Sequence, residues 1–312
     1  MEIFPIADAH CDFLYYMQND GWSILRPQER QAVALPYMRA SGIALQFFAA
    51  WIDAELKNSC VNQCLALIDA YWRMLEASSG ALTPLTTDFD PRSGQVATVL
   101  TIEGGEAIDG SLEALRMFHR LGVRAMTLTW NYSNELASPA MRRMNKGLTP
   151  LGRKVVREMD RIDMALDVAH LSDAGITEAL SLATRPIFAS HSNARAVCPH
   201  RRSLGDAHIR EIARSGGVIC VNFYPPQLRA DGEMASATDV ARHAAHIAAL
   251  AGPAHVALGS DFDGMCAYPR NLKTQADLPN LLQALADVGF SQEEIRRIAY
   301  DNLRDYIVQF TD

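Results

Sequence analysis

Residues 3–12, Ile-Phe-Pro-Ile-Ala-Asp-Ala-His-Cys-Asp, join an apolar run to a polar end at His10-Cys11-Asp12. An extended backbone alternates its side chains. His10 and Asp12 therefore fall on one side of a strand end, where an imidazole and a carboxylate can close on one divalent cation. Alone, the same residues also fit a polar strand-to-helix turn, because matches to so short a pattern arise by chance. Whether later segments repeat the arrangement decides between the two readings.

They do. Strand-like apolar runs recur at 42–51, 96–102, 124–130, 165–169, 186–190, 217–223 and 255–259, which with 3–9 makes eight. Helix-like runs separate them at 60–77, 111–121, 149–161, 173–182, 206–215 and 238–251. Thr149-Pro150 reads as an N-cap followed by proline at the first helical position, and Gly122 and Gly216 stand where helix-terminating glycines belong. Apolar runs that are polar only at their ends are the pattern of parallel strands covered by helices. Eight such units predict an α/β fold, a (β/α)8 TIM-like barrel, with one domain spanning 1–312. A doubly wound open sheet is the competing architecture, but no Gly-x-Gly-x-x-Gly follows the first strand. The stretch 278–310 reads as additional C-terminal helices, with Ser291 as a cap ahead of Glu293 and Glu294, packed under or beside the barrel.

Composition narrows the function. The 312 residues are 49% hydrophobic and 21% charged, enough apolar content for a large core, and the net charge of −7 offers no basic surface to nucleic acid. The first residues lead straight into a strand, and no apolar run has the length of a membrane span, so the expectation is a soluble cytoplasmic protein with no membrane partner. Six scattered cysteines without a Cys-x-x-Cys pair indicate neither a disulfide framework nor a structural zinc site. Cys60 and Cys64, at helical spacing, read as one packed face.

The strand ends carry the chemistry. The third run ends in Glu103-Gly104-Gly105, the fifth in Asp167-Val168-Ala169-His170, the sixth in Ser190-His191-Ser192 and the eighth in Ser260-Asp261-Phe262-Asp263-Gly264. Together with His10 and Asp12 they converge on the C-terminal rim, where barrel enzymes place their active residues. Three histidines and three carboxylates amount to donors for two metal ions, and two ions bridged by a carboxylate and a water suit hydrolysis. Singly, each residue has a plainer reading. Glu103 could cap a helix, His170 could be a core histidine, and Asp261 or Asp263 could form an Asx turn. The remaining histidines, including His200, His208, His243 and His246, read as solvated residues of helix faces and loops.

The ordered set of His10-x-Asp12, Glu103-Gly104-Gly105, Asp167-Val168-Ala169-His170, Ser190-His191-Ser192, Arg201-Arg202 and Gly259-Ser260-Asp261-Phe262-Asp263-Gly264 resembles the renal (membrane) dipeptidase family of zinc-dependent dipeptidases. The resemblance runs over nearly the whole chain and points to a soluble member of bacterial type. It implies a β/α barrel with two divalent ions, zinc in that family. His10 and Asp12 would hold one ion, His170 and His191 the other, and Glu103 would bridge them. Asp261 would move the proton between the bridging hydroxide and the leaving amine. Arg202 would bind the free carboxylate of a small dipeptide-like substrate, and Tyr224 would line the site. The family commonly has His-Asn after the fourth strand, with the His bonded to the scissile carbonyl oxygen. This chain has Trp130-Asn131 there, so that an indole N–H, which cannot become cationic, faces the substrate beside Asn131.

The expected function is therefore a binuclear zinc dipeptidase hydrolysing L-L or L-D dipeptides through a metal-bridged hydroxide, with a homodimer as the candidate assembly. The alternatives are another amidohydrolase-like enzyme, such as an N-acyl amino acid amidase or a TatD-type nuclease, and a weakly active barrel that serves as a binding protein. An acidic chain suits a phosphodiester substrate poorly.

Overall fold

Eight parallel staves close into a ring. In the computed structural model, which describes residues 4–56, 59–231 and 234–311, the strands are β1 (Ile6–Asp8), β2 (Ile43–Trp51), β3 (Leu82–Pro84), β4 (Val96–Glu103), β5 (Val123–Thr127), β6 (Ala165–Asp167), β7 (Ile219–Val221) and β8 (Val256–Leu258). Parallel pairing runs β1-β2-β4-β5-β6, and β7 pairs with β8. The expected barrel is present, and Ile3 of the first expected strand lies outside the described residues.

The sixth stave departs from the sequence reading. Residues 186–190 form single bridges rather than a strand: Phe188 pairs with Asp167, and Ala189 with Ile219. Its backbone still closes the ring, since Val168 N–H donates to the Phe188 carbonyl at 2.9 Å and Cys220 N–H to the Ala189 carbonyl at 2.9 Å. Pro186 brings no N–H to a ladder, and Ser190 N–H donates to the Asp167 carboxylate at 3.0 Å instead of to a neighbouring strand. At the seam between β8 and β1, Ala9 N–H donates to the Leu258 carbonyl at 2.9 Å. The expected run 124–130 is regular only to Thr127. Beyond it, the Leu128 carbonyl accepts from Asn134 Nδ2 at 2.8 Å, which turns Trp130 onto the rim. The short β3, not foreseen, lies outside the ring along the first half of β4.

The helices fall close to where the apolar periodicity places them, among them Cys60–Ala77, Leu112–Arg120, Pro150–Arg161 and Asp173–Leu182. Thr149 caps its helix by accepting from Gly152 N–H at 3.0 Å, with Pro150 in the first turn. The helices Phe13–Asp20 and Leu35–Ser41 escaped the sequence reading, and the first of these carries Tyr15 and Tyr16 onto the rim.

Small residues fill the barrel interior. Ala7, Ala97, Ala125, Ala165 and Ala257 leave room there for Phe47 and Phe188, in the manner of interdigitated side-chain layers. The C-terminal helices plug the bottom with Leu303, Tyr306, Ile307 and Phe310. Ser291 starts this tail with a reciprocal capping box to Glu294. With the N-terminal face filled by these side chains, the barrel's opening among the described residues is at the opposite rim.

Candidate active site

Glu103 stands at the end of β4 with its two oxygens turned to different partners. Oε2 lies 3.5 Å from His10 Nε2, and Oε1 lies 2.7 Å from His170 Nε2 and 3.4 Å from His191 Nε2. His10 Nε2 is also 3.4 Å from Asp12 Oδ2 and 3.9 Å from Asp261 Oδ1. All six side chains expected from the strand ends are thus brought to one point, and Glu103 sits between a His10/Asp12 half and a His170/His191 half. Gly105 permits this turn: a Cβ there would lie 2.5 Å from the Leu128 carbonyl oxygen. Gly264 is needed in the same way, because a Cβ would run into the carboxylates of Asp12 and Asp261.

The donor set fits metal ions. His170 Nδ1 is 2.9 Å from Asn131 Oδ1, which can only accept, so Nδ1 carries the proton and Nε2 a lone pair. His191 Nδ1 is 2.8 Å from Ser190 Oγ, whose own hydrogen bond runs to Asp167, leaving Nε2 of His191 a lone pair too. The two Nε2 atoms then face each other at 2.9 Å, beside a carboxylate oxygen, with no proton among them. Such a cluster is repulsive until a cation enters it. Burial, with Arg202 adding to it, pushes His170 down to about 4, and burial likewise holds His191 well below its usual value, so both are in the neutral form that ligates. On the other half, His10 Nε2 and Asp12 Oδ1 are buried without hydrogen-bond partners. Burial acts to lower His10, but Glu103 and Asp12 raise it well above the usual value; a divalent ion could replace that proton.

The backbone takes unusual forms around these ligands. His170, Asp261 and Asp263 have φ of 65°, 65° and 64°, in the left-handed region that L-residues seldom occupy. Two buried carboxylates hold the turns. Asp8 accepts from Ser260 N–H at 2.7 Å and Ser260 Oγ at 2.6 Å, and Asp167 accepts from the N–H groups of Ala169 and Ser190. Asp263 does not form a local turn with its own segment; it accepts from the backbone of Ala32 and Val33 at 2.7 and 3.2 Å and fastens that loop to the rim.

A cavity of about 450 Å³ opens over this cluster. Asp261 reaches into it, and Asn222 Nδ2 donates to its Oδ2 at 2.9 Å, leaving Oδ1 on the His10 side. Burial, reinforced by Asp12 and Glu103 against the opposing pull of His10, pushes Asp261 up to about 7. Arg202, also buried, donates to the His191 carbonyl at 3.2 Å, while its Nε has no partner; burial pushes it down to about 10. Trp130, Asn131 and Tyr224 line the cavity, and Asn131 is engaged with His170. Asn222 was not singled out from sequence. Its only signal was a polar residue closing an apolar strand, in the segment from which Tyr224 was chosen.

One histidine corrects the sequence reading. His243 is fully buried, accepting from Ala194 N–H at 3.1 Å and donating to the Leu228 carbonyl at 3.0 Å, and so fixes the start of the loop that carries Arg202. His200 forms part of the cavity wall.

Residues 1–305 match the model of a family described as membrane dipeptidase, peptidase family M19. An uncharacterised dipeptidase of Schizosaccharomyces pombe is 32% identical, the match covering 96% of this chain and 79% of the relative. Among solved structures, the metallopeptidase dipeptidase AC, of family M19, superposes with a TM-score of 0.91 at 30% identity over 99% of both chains. A metallopeptidase from Rhodobacter sphaeroides, solved with a phosphinate mimic of the dipeptide L-Ala-D-Ala, gives 0.90 at 28% identity over 99% of this chain and 100% of that one.

Proposed function

The chain belongs to the membrane dipeptidase family and is a metal-dependent dipeptidase, and from that premise we propose that it works with two divalent ions, zinc by preference, held by His10 and Asp12 on one side and His170 and His191 on the other. Glu103 would bridge them. The observation that carries this reading is the division of Glu103's two oxygens between two separate donor pairs. When bound, such a pair of ions supplies Lewis-acid polarisation of the scissile carbonyl and a water acidic enough to attack near neutral pH.

The protein's own groups do the rest. Arg202, a buried cation with an unpaired Nε–H, binds the free carboxylate of the substrate and sets which end of the peptide lies over the barrel wall. Asp261, with Oδ2 occupied by Asn222, uses Oδ1 to take the proton of the attacking water and returns it to the amine nitrogen as the C–N bond breaks. The Trp130 ring, 6.2 Å from that of His170, fills volume beside the scissile bond. Such a wall in place of an imidazole narrows the range of L-L dipeptides. The ligand of the Rhodobacter relative supports extending the substrates to L-Ala-D-Ala.

The test compares L-Ala-L-Ala, L-Ala-D-Ala and the amide of each, with and without added zinc. Hydrolysis of the free acids, abolished by chelation and restored by zinc, is expected. Arg202→Ala should reduce kcat/KM for the acids far more than for the amides. Equal losses on acid and amide would show that Arg202 does not hold the carboxylate.

A further inference from the structure

Tyr15 and Trp51 stand as a partition between two cavities. One face of the pair lines the catalytic cavity; the other lines a second space of about 340 Å³, which reaches Gln18 and Asn19 on the helix Phe13–Asp20, and Asn62, Ala66 and Leu67 on the helix Cys60–Ala77. The rings meet edge to face, with centroids 4.9 Å apart, and Trp130 braces Trp51 from the far side at 5.0 Å. Edge-to-face packing of this kind holds each ring in place. The wall is thus a built feature rather than the chance position of one side chain.

Its position in the ring gives it a meaning. Counting staves β1, β2, β4, β5, β6, the 187–190 segment, β7 and β8, Trp51 ends the second, and Arg202 is tied to the end of the sixth through the His191 carbonyl. In a ring of eight these are diametrically opposite. Glu103, paired in register with Trp51, lies between them. With its carboxylate on Arg202 and its scissile bond over Glu103, a peptide points its amino end at the Tyr15–Trp51 wall.

We infer that this aromatic partition sets the length of the substrate: it ends the cavity one residue beyond the scissile bond and so confines the enzyme to dipeptides. The inference rests on the substrate direction proposed above. The space behind the wall, bordered by Gln18, Asn19 and Asn62, has the size to take one more peptide unit, although Gln18 Oε1 there accepts from Arg73 and Asn19 Nδ2 donates to the Tyr15 carbonyl. Removing the wall would let the enzyme act on a tripeptide at its last bond. Water adds across that C–N bond, the new carboxylate remains on the amino-terminal dipeptide, and the proton goes to the amine of the released amino acid.

The experiment measures kcat/KM of the zinc-loaded full chain for L-Ala-L-Ala and L-Ala-L-Ala-L-Ala, in the wild type and in Trp51→Ala, Trp51→Phe and Tyr15→Ala, with bound zinc counted in each. The wild type should cut the tripeptide at least about 10²-fold less well than the dipeptide, the scale on which misplaced substrates lose rate. In Trp51→Ala and Tyr15→Ala the tripeptide-to-dipeptide ratio should rise at least tenfold, with alanine as the released amino acid, and Trp51→Phe, which keeps a ring, should stay near the wild-type ratio. A wild type that cuts both peptides equally would overturn the inference, as would an unchanged ratio in both alanine variants. Loss of activity on both peptides with zinc retained would also overturn it, showing that the rings build the site rather than measure its length. If the wild type hydrolyses no dipeptide at all, the dipeptidase reading fails first and takes this one with it.

Discussion

The two halves of the candidate metal centre are made differently. On the His170/His191 side, each imidazole has its far nitrogen held by a named partner, Asn131 or Ser190, so its ligating nitrogen is aimed before any ion arrives. On the His10/Asp12 side, the ligating atoms His10 Nε2 and Asp12 Oδ1 have no hydrogen-bond partner, and His10 is surrounded by carboxylates at 3.4 to 3.9 Å. One half is oriented by hydrogen bonds to its far nitrogens; in the other, the neighbours of the ligating nitrogen are carboxylates. A preformed site gives up less order on binding, so the His170/His191 half should bind its ion more tightly and lose it last.

The largest effect is expected from Asp261→Asn, which removes a carboxylate 3.9 Å from His10 Nε2 but none of the five proposed ligands. An amide cannot take the proton from water, and kcat should fall by about 10² to 10⁴ while two ions remain bound. Near wild-type kcat on L-Ala-L-Ala would show that Asp261 has been given the wrong role. The comparison itself is broken by Asn131→Leu, which frees His170 Nδ1. Affinity of the tighter site should drop by about 10- to 100-fold, bringing the two halves close together, as read by zinc competition with a chromogenic chelator. An unchanged affinity would mean that packing alone aims His170. Asp8→Asn probes the frame under the other half. The amide would leave one of the donors from Ser260 unpaired, lowering stability by about 1 to 3 kcal/mol in chemical denaturation of the metal-free protein. No change in midpoint would show that Ser260 is held by other contacts.

The difference between the halves also explains what could be read from the sequence. His10 and Asp12 share one short extended segment, so strand alternation alone puts them together. Glu103, His170, His191 and Asp261 could be aligned because each ends an apolar run, and a barrel collects such ends on one rim. What holds them is invisible at that level. The Asn131–His170 and Asn222–Asp261 bonds each span 39 residues, and Asp8 meets Ser260 across 252. Nothing in the sequence announces the positive φ of His170 or Asp261, since the side chains there are not glycine. The apolar run 186–190 reads as a strand from sequence alone. The hydrogen bond of Ser190 N–H to Asp167 that breaks its regular pairing is another long-range contact. The Tyr15–Trp51 wall joins the first helix to the second stave, and neither ring stood out locally.

The central claim, two ions shared by Glu103 with unequal grip, is tested most directly by counting zinc. The protein is loaded with zinc and dialysed against graded chelator, and bound metal is measured per chain by elemental analysis, for the wild type and for Glu103→Ala. The account predicts two ions per chain in the wild type, lost in two separate steps, and loss of at least one ion from Glu103→Ala at the lowest chelator concentration. A wild type that never holds more than one ion, or a Glu103→Ala variant that keeps two as firmly as the wild type, would contradict it.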